Sequence, residues 1–141
     1  MRRRRKTADR VQLMRRYQRG LLCSAVAPHK RFLAWQECHK LCLLVYKATE
    51  SFPKHELYGL TSQARRAAFS APANIVEGAS RKGRNEFRHF LDISLGSLSE
   101  LEYALEVAAA LGYLKPQDQA ALEVQQKRAR IFTWKLKKSM R

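Results

Sequence analysis

The sequence predicts an all-α fold, an antiparallel up-down-up-down four-helix bundle, on three observations. Leu57, Leu60, Ala64, Ala67, Ala71 and Ile75 recur at alternating steps of three and four, which marks the seam of a packed helix. Phe87, Leu91, Ser94, Leu98, Leu101, Leu105 and Ala108 repeat the pattern immediately downstream. A chain of 141 residues, 45% apolar with few prolines and glycines, holds one domain with a real core and is used up by four helices of ordinary length.

Taken in order, residues 1–30 read as a basic arm, with helical character around Arg10 to Leu22, ending near Pro28. The bundle occupies residues 31–138 and a short basic tail residues 139–141. A first helix runs from about Arg31 to Glu50. Trp35, Cys38, Cys42, Val45 and Thr49 form its stripe, widened by Leu41, Leu44 and Ala48. Phe52-Pro53 ends it, because the residue before a proline avoids helical angles. The second helix spans about His55 to Ser80 and the third Asn85 to Leu111, joined by Arg81-Lys82-Gly83-Arg84. Gly112 is the expected helix-ending glycine. Pro116 opens the fourth helix at a position where its missing N–H costs little. Leu122, Gln125, Ala129, Phe132 and Leu136 form that helix's seam, with Ile131 and Trp134 off it. The third helix is roughly 40 Å long at 1.5 Å per residue, and short connections make neighbours antiparallel.

Pro72 is the oddest local choice. Inside the second helix it removes its own N–H and leaves the Ala68 carbonyl without its helical donor, which predicts a bend. Asn74 and Glu77, three apart just beyond it, are placed to fix that geometry or to meet a neighbouring chain. With Arg66 they form a candidate polar interface or pocket. The Gly96-Ser97 pair lowers helix propensity in the third helix and predicts close approach of another helix.

Cys38, His39 and Cys42 crowd one part of the first helix, and two cysteines four apart resemble half a zinc site. The other ligand types, His55, His89 and Cys23, are scattered, so the expectation is no metal, with both cysteines as small core residues and His39 solvated. Three cysteines without regular spacing argue against a disulfide framework. No catalytic constellation is visible: Ser70, Ser94, Ser97 and Ser99 have no histidine partner. The expectation is a protein with no cofactor that is not an enzyme.

The net charge of +16 is unevenly placed. Residues 1–31 carry eleven Lys or Arg against Asp9, residues 127–141 carry seven with no acid, and residues 32–126 sum to −1. The nucleic-acid-binding candidates are therefore Arg2, Arg3, Arg4, Arg5, Lys6, Arg15, Arg16 and Arg19 in the arm, and Lys135, Lys137 and Lys138 at the other end. Arg81, Lys82, Arg84 and Arg88 form a secondary cluster between them. Such charge attracts any polyanion without reading its sequence. The third helix is itself polarised, basic at Arg84 and Arg88 and acidic from Glu100 to Glu106, which suits head-to-tail contacts between identical subunits. MRRRR followed by Leu21 to Ala27 superficially imitates a secretory signal, but the apolar run is short and interrupted by Cys23 and Ser24. No stretch approaches the ~20 apolar residues of a membrane span. The expected setting is the cytoplasm, away from membranes.

Three ordered motifs, FP-x-x-E-x-x-x-L-T-x-Q-x-R-R-A from Phe52, S-x-P-A-N-I-V-E-G from Ser70 and G-S-L-S-E-L-E from Gly96, resemble one family. It is that of the four-helix-bundle proteins encoded in intervening sequences of bacterial 23S ribosomal RNA genes. The resemblance covers about Arg31 to Lys138. It implies a cytosolic all-helical protein that assembles as a ring of five bundles. In fold alone the chain is more distantly similar to the accessory protein of diversity-generating retroelements, a basic pentamer that binds a reverse transcriptase and nucleic acid. Two functional expectations follow: a homo-oligomer holding nucleic acid, RNA above DNA, through its basic arms, or an oligomeric adaptor for a protein partner such as a polymerase or reverse transcriptase.

Overall fold

The computed structural model describes residues 27–140. The arm residues 1–26, including Arg2 to Lys6, Arg15, Arg16 and Arg19, and the last residue lie outside them. Among the described residues four α-helices build the fold: α1 (Leu33–Ala48), α2 (Leu60–Ala79), α3 (Arg84–Ala110) and α4 (Pro116–Ser139). Consecutive helices pack against each other and α4 returns to α1. The α2–α3 and α3–α4 contacts are antiparallel. Ser94 of α3 meets Ala71 and Glu100 meets Arg66, while Asp92 meets Lys137 and Leu98 meets Gln126.

Gly112 takes a φ of 74° and ends α3 as its sequence position requires. The N–H of Tyr113 reaches the Ala108 carbonyl and that of Gly112 reaches Ala109, the paired bonds of a left-handed helix terminus. Pro116 occupies the first turn of α4. That helix continues to Ser139, into the residues read as a tail.

The second helix starts later than its periodicity suggests. Residues 54–56 form a separate 3-10 turn, and the Glu56 carboxylate accepts the first free N–H of α2, from Leu60, at 2.9 Å. Glycine at 59 disfavours helix continuation, so Leu57 falls outside the seam and is 50% exposed. The rest of both long seams is as periodicity placed it. Ala64, Ala67, Ala71 and Ile75 are buried against Phe87, Leu91, Ser94, Leu98, Leu101, Leu105 and Ala108.

Pro72 is buried and α2 runs unbroken across it. Polar side chains gather around that turn. Ser94 Oγ donates to the Ala71 carbonyl at 2.8 Å, Asn74 Nδ2 to the Ser70 carbonyl at 2.8 Å, and the Ser70 and Ser97 hydroxyls share a bond of 2.8 Å. The close approach expected at Gly96 occurs at Gly78 instead. A Cβ there would stand 2.6 Å from Phe87 Cδ2 and 2.9 Å from the Phe90 Cβ, whereas one on Gly96 meets nothing within 4 Å.

The seam of α4 also departs from the reading. Its buried residues are Leu122, Gln126, Ala129 and Thr133, with Gln125, Phe132 and Leu136 only partly covered. Polar groups enter because each finds a partner across the bundle. Thr133 Oγ1 donates to the Ala129 carbonyl and sits 3.5 Å from Cys38 Sγ, and Gln126 Nε2 donates to the Leu98 carbonyl.

Candidate nucleic-acid interface

The antiparallel course brings the chain's basic segments to one end. Short connections send α2 back to where α1 starts, and a tilted aromatic pair, Phe32 with Phe87 at 5.4 Å, fixes the beginnings of α1 and α3 together. Arg81, Lys82 and Arg84 stand exposed on the α2–α3 turn, with Arg88 one turn into α3. The last turns of α4 return here, since Lys137 Nζ is bonded to the Asp92 carboxylate. Lys135 and Lys138 flank it, exposed. Lys137 and Lys138 also sit in the last turn of α4, where cations suit the negative end of the helix dipole.

Lys30 and Arg31 join this pole, a pair that counting charges did not single out. They lie in a 3-10 turn, Pro28–Arg31, packed against α2, and Gln36 Nε2 holds the Lys30 carbonyl at 2.9 Å. The described chain therefore begins at the basic end. The far end, around Phe52 and Tyr113, whose rings lie 5.8 Å apart, faces away from it.

Several of these cations are oriented by local partners. Arg81 bonds Glu77 at 2.7 Å and lies over the Phe90 ring, while Lys138 rests 4.1 Å from the centre of the Trp134 ring. Among the described residues Lys82, Arg84 and Arg88 make no ion pair. The pole can thus offer phosphate both held and unengaged charge. Such contacts fix position and do not distinguish bases.

Arg66, Asn74 and Glu77 do not form a common site. Arg66 turns to Gln63 and Glu100, Asn74 to Ser70, and Glu77 to Arg81. Asn74 alone does what the proline suggested, bonding back across that turn.

The most perturbed acid lies elsewhere and its surroundings are structural. Glu37 is 3% exposed, and its carboxyl is lowered from 4.5 to about 2. The Arg128 guanidinium, at 2.9 Å, is the main cause, helped by Gln125 at 2.7 Å and Lys40 at 3.0 Å and opposed by burial. Next to it, burial pushes the Cys38 thiol up to about 11, which keeps it a neutral core group. Cys42 is buried too, while His39 is exposed and stacks on Trp35. Among the described residues no cluster of His, Cys, Asp or Glu could hold a metal ion, and no helix is long and apolar enough to cross a membrane.

Comparison with known proteins agrees with the helices and their order. A family model described as 23S rRNA-intervening sequence protein matches residues 30–131, nearly the whole bundle. The chain belongs to that family. No curated protein matches. Among solved structures, the chain is similar to a protein of unknown function from the S23 ribosomal protein family of Bacteroides thetaiotaomicron. The two are 19% identical with a TM-score of 0.66, over 74% of this chain and 98% of that one. At that identity the likeness is one of fold. Neither description names a reaction.

Proposed function

We propose that this member of the 23S rRNA-intervening sequence family is a non-enzymatic homo-oligomer, a ring of five, that holds nucleic acid by its phosphates, RNA in preference to DNA, in the cytoplasm. One observation carries the binding reading. The positive charge is concentrated at the pole where Lys30, Arg31, Arg81, Lys82, Arg84, Arg88, Lys135, Lys137 and Lys138 meet and where the described chain begins. Phosphate neutralisation releases counterions, so affinity falls with salt by a slope of roughly −0.7 per phosphate for single strands. Removing residues 1–26, which carry nine of the chain's Lys and Arg, leaves the packed 3-10 turn intact. It should flatten the slope of an RNA titration more than replacing Arg81, Lys82 and Arg84 by glutamine. Unchanged affinity and slope in the truncated protein would remove the arm from the interface.

Self-association is supported by exposed apolar side chains, Phe69 of α2 and Ile93 and Tyr103 of α3 among them, and by a shallow groove between α3 and α4, where open Gly96 borders Leu95, Ile131 and Trp134. Exposed apolar surface of this kind suits contacts between subunits, and head-to-tail contacts close into a ring when the rotation allows. Light scattering on the eluting protein should give five times the chain mass of 16.3 kDa. A monomer at micromolar concentration refutes the ring. The same groove favours a second reading, an adaptor for a protein partner, which replaces the first if the intact protein binds neither RNA nor DNA at low salt.

A further inference from the structure

The end of α4 carries a stripe that neither the core nor the ion pairs use. Ile131, Trp134, Lys135 and Lys138 recur at helical spacing and share one face of that helix. Ile131 is 50% and Trp134 47% exposed, and both lysines are exposed as well. Across from them α3 presents Leu95 and Gly96, and the two helices enclose a shallow groove with a volume of about 520 Å³. That lies within the ~300–1,000 Å³ of sites that take a small organic group. A Cβ on Gly96 would meet nothing within 4 Å, so the missing side chain serves no close helix packing and instead leaves the groove open.

The lining and the rim differ in character. Leu95, Ile131 and the Trp134 ring make the lining mainly apolar. The ammonium groups are held beside it: Lys138 Nζ lies 4.1 Å from the centre of the Trp134 ring, although Lys138 does not line the groove, and Lys135 Nζ lies 5.7 Å from the centre of the Phe132 ring. Arg130, at the edge, donates to Ser99 Oγ at 2.9 Å and pairs with Glu102, and Lys137 pairs with Asp92. Lys135 and Lys138 make no ion pair among the described residues. The groove therefore combines an accessible aromatic ring and an apolar bed with two uncommitted positive charges.

An apolar peptide would match the bed and leave the lysines unused. A carboxylate-rich chain would match the lysines and leave the ring unused. A flat base joined to phosphates matches both. We propose that this groove is a base-stacking subsite for single-stranded nucleic acid, in which one base lies on Trp134 between Leu95 and Ile131 and its neighbouring phosphates meet Lys135 and Lys138. The subsite rests on the nucleic-acid reading above and adds a selectivity that phosphate contacts lack. A duplex keeps its base faces covered, whereas a single strand can offer them to an aromatic side chain. Gly96 is one helical turn from Asp92, the partner of Lys137, so a strand held at the basic pole reaches the groove directly. Contacts between subunits then fall to other exposed apolar side chains, Phe69, Ile93 and Tyr103 among them.

Anisotropy titrations of the full-length protein with labelled oligouridylate, and with an RNA duplex of equal length, test the subsite at low salt. Trp134→Ala keeps every cation and should weaken the single strand by about tenfold while leaving duplex affinity unchanged. Trp134→Phe, which keeps an aromatic face, should recover most of that loss, and Trp134→Leu should not. Gly96→Leu fills the groove without altering Trp134 or any charge, and should reproduce the loss with an undiminished melting temperature. Equal weakening of single strand and duplex, or full recovery with leucine, would overturn stacking. Unchanged single-strand affinity in both Trp134→Ala and Gly96→Leu would overturn the subsite and leave the phosphate reading standing, whereas an intact protein that binds neither RNA would overturn both. A reduced mass by light scattering in either variant would assign the groove to a second copy of the chain and overturn the base assignment.

Discussion

Replacing Glu37 by glutamine tests the tie between α1 and α4. The carboxyl is 3% exposed and bonded by Arg128, Gln125 and Lys40. Holding it at about 2 instead of 4.5 corresponds to about 3 kcal/mol of stability at neutral pH. Arg128 is half exposed and stays solvated when its partner loses charge, which reduces the cost. The new amide, however, turns N–H groups towards the donors that surrounded the carboxylate. The expected loss is about 2 kcal/mol at about pH 7, read from urea unfolding at one fixed protein concentration. The sign of the pH dependence follows from the lowered value. The native carboxyl's contribution is complete above 4.5 and disappears as pH falls through about 2, so parent and variant should converge in acid. A variant within about 0.5 kcal/mol of the parent at neutral pH would refute the reasoning. So would a difference that stays constant from about pH 7 to about pH 2.5.

Three further outcomes are expected. Pro72→Ala restores a helical N–H, normally a gain of up to ~3 kcal/mol, but it also empties a buried ring site beside the Ser94, Ser70 and Asn74 bonds. Thermal melting should rise little or not at all, and a much higher melting temperature with the oligomeric state unchanged would show that the proline has no structural role. Gly78→Ala should destabilise by about 1–3 kcal/mol despite its better helix propensity, because its methyl would collide with Phe87 and Phe90. Chemical denaturation measures it, and a neutral result would mean that the α2–α3 corner yields. Cys38 and Cys42 should resist a thiol reagent at about pH 8 until the protein unfolds, since burial raises both thiols.

Legibility in the sequence followed the kind of information each feature needs. Helix ends set by one residue's backbone were readable: Gly112 and Pro116 act where their chemistry dictates. The seams of α2 and α3 were readable because apolar residues recur without competition. Leu57 misled because Gly59 and the Glu56 cap override periodicity, a contest that apolar spacing does not record. Gln126 and Thr133 were missed in favour of Gln125 because a polar residue enters a core only when a partner on another helix receives it. Those partners, Leu98 and Cys38, are far away in sequence. Glu37 was missed for the same reason. Gly78 and Gly96 look alike as letters, and only the neighbouring helix distinguishes them. The charges themselves could be counted, but that the α2–α3 turn, the end of α4 and the start of the described chain share one pole depends on the antiparallel course.

The polar seam of α4 has a consequence for how the bundle opens. Only Leu122 and Ala129 are buried core hydrophobic residues on α4, against six on α1, five on α2 and seven on α3. The helix is located by the bonds of Gln126 to Leu98, Arg128 to Glu37 and Thr133 with Cys38, which define its register but add less area to the core. In native-state hydrogen exchange, α4 amides should therefore exchange through a partial opening well below the global unfolding free energy, ahead of α2 and α3. Such an opening carries Lys135, Lys137 and Lys138 away from Arg84 and Arg88. A polyanion bridging the two groups would then slow exchange along the whole of α4, including residues it never touches.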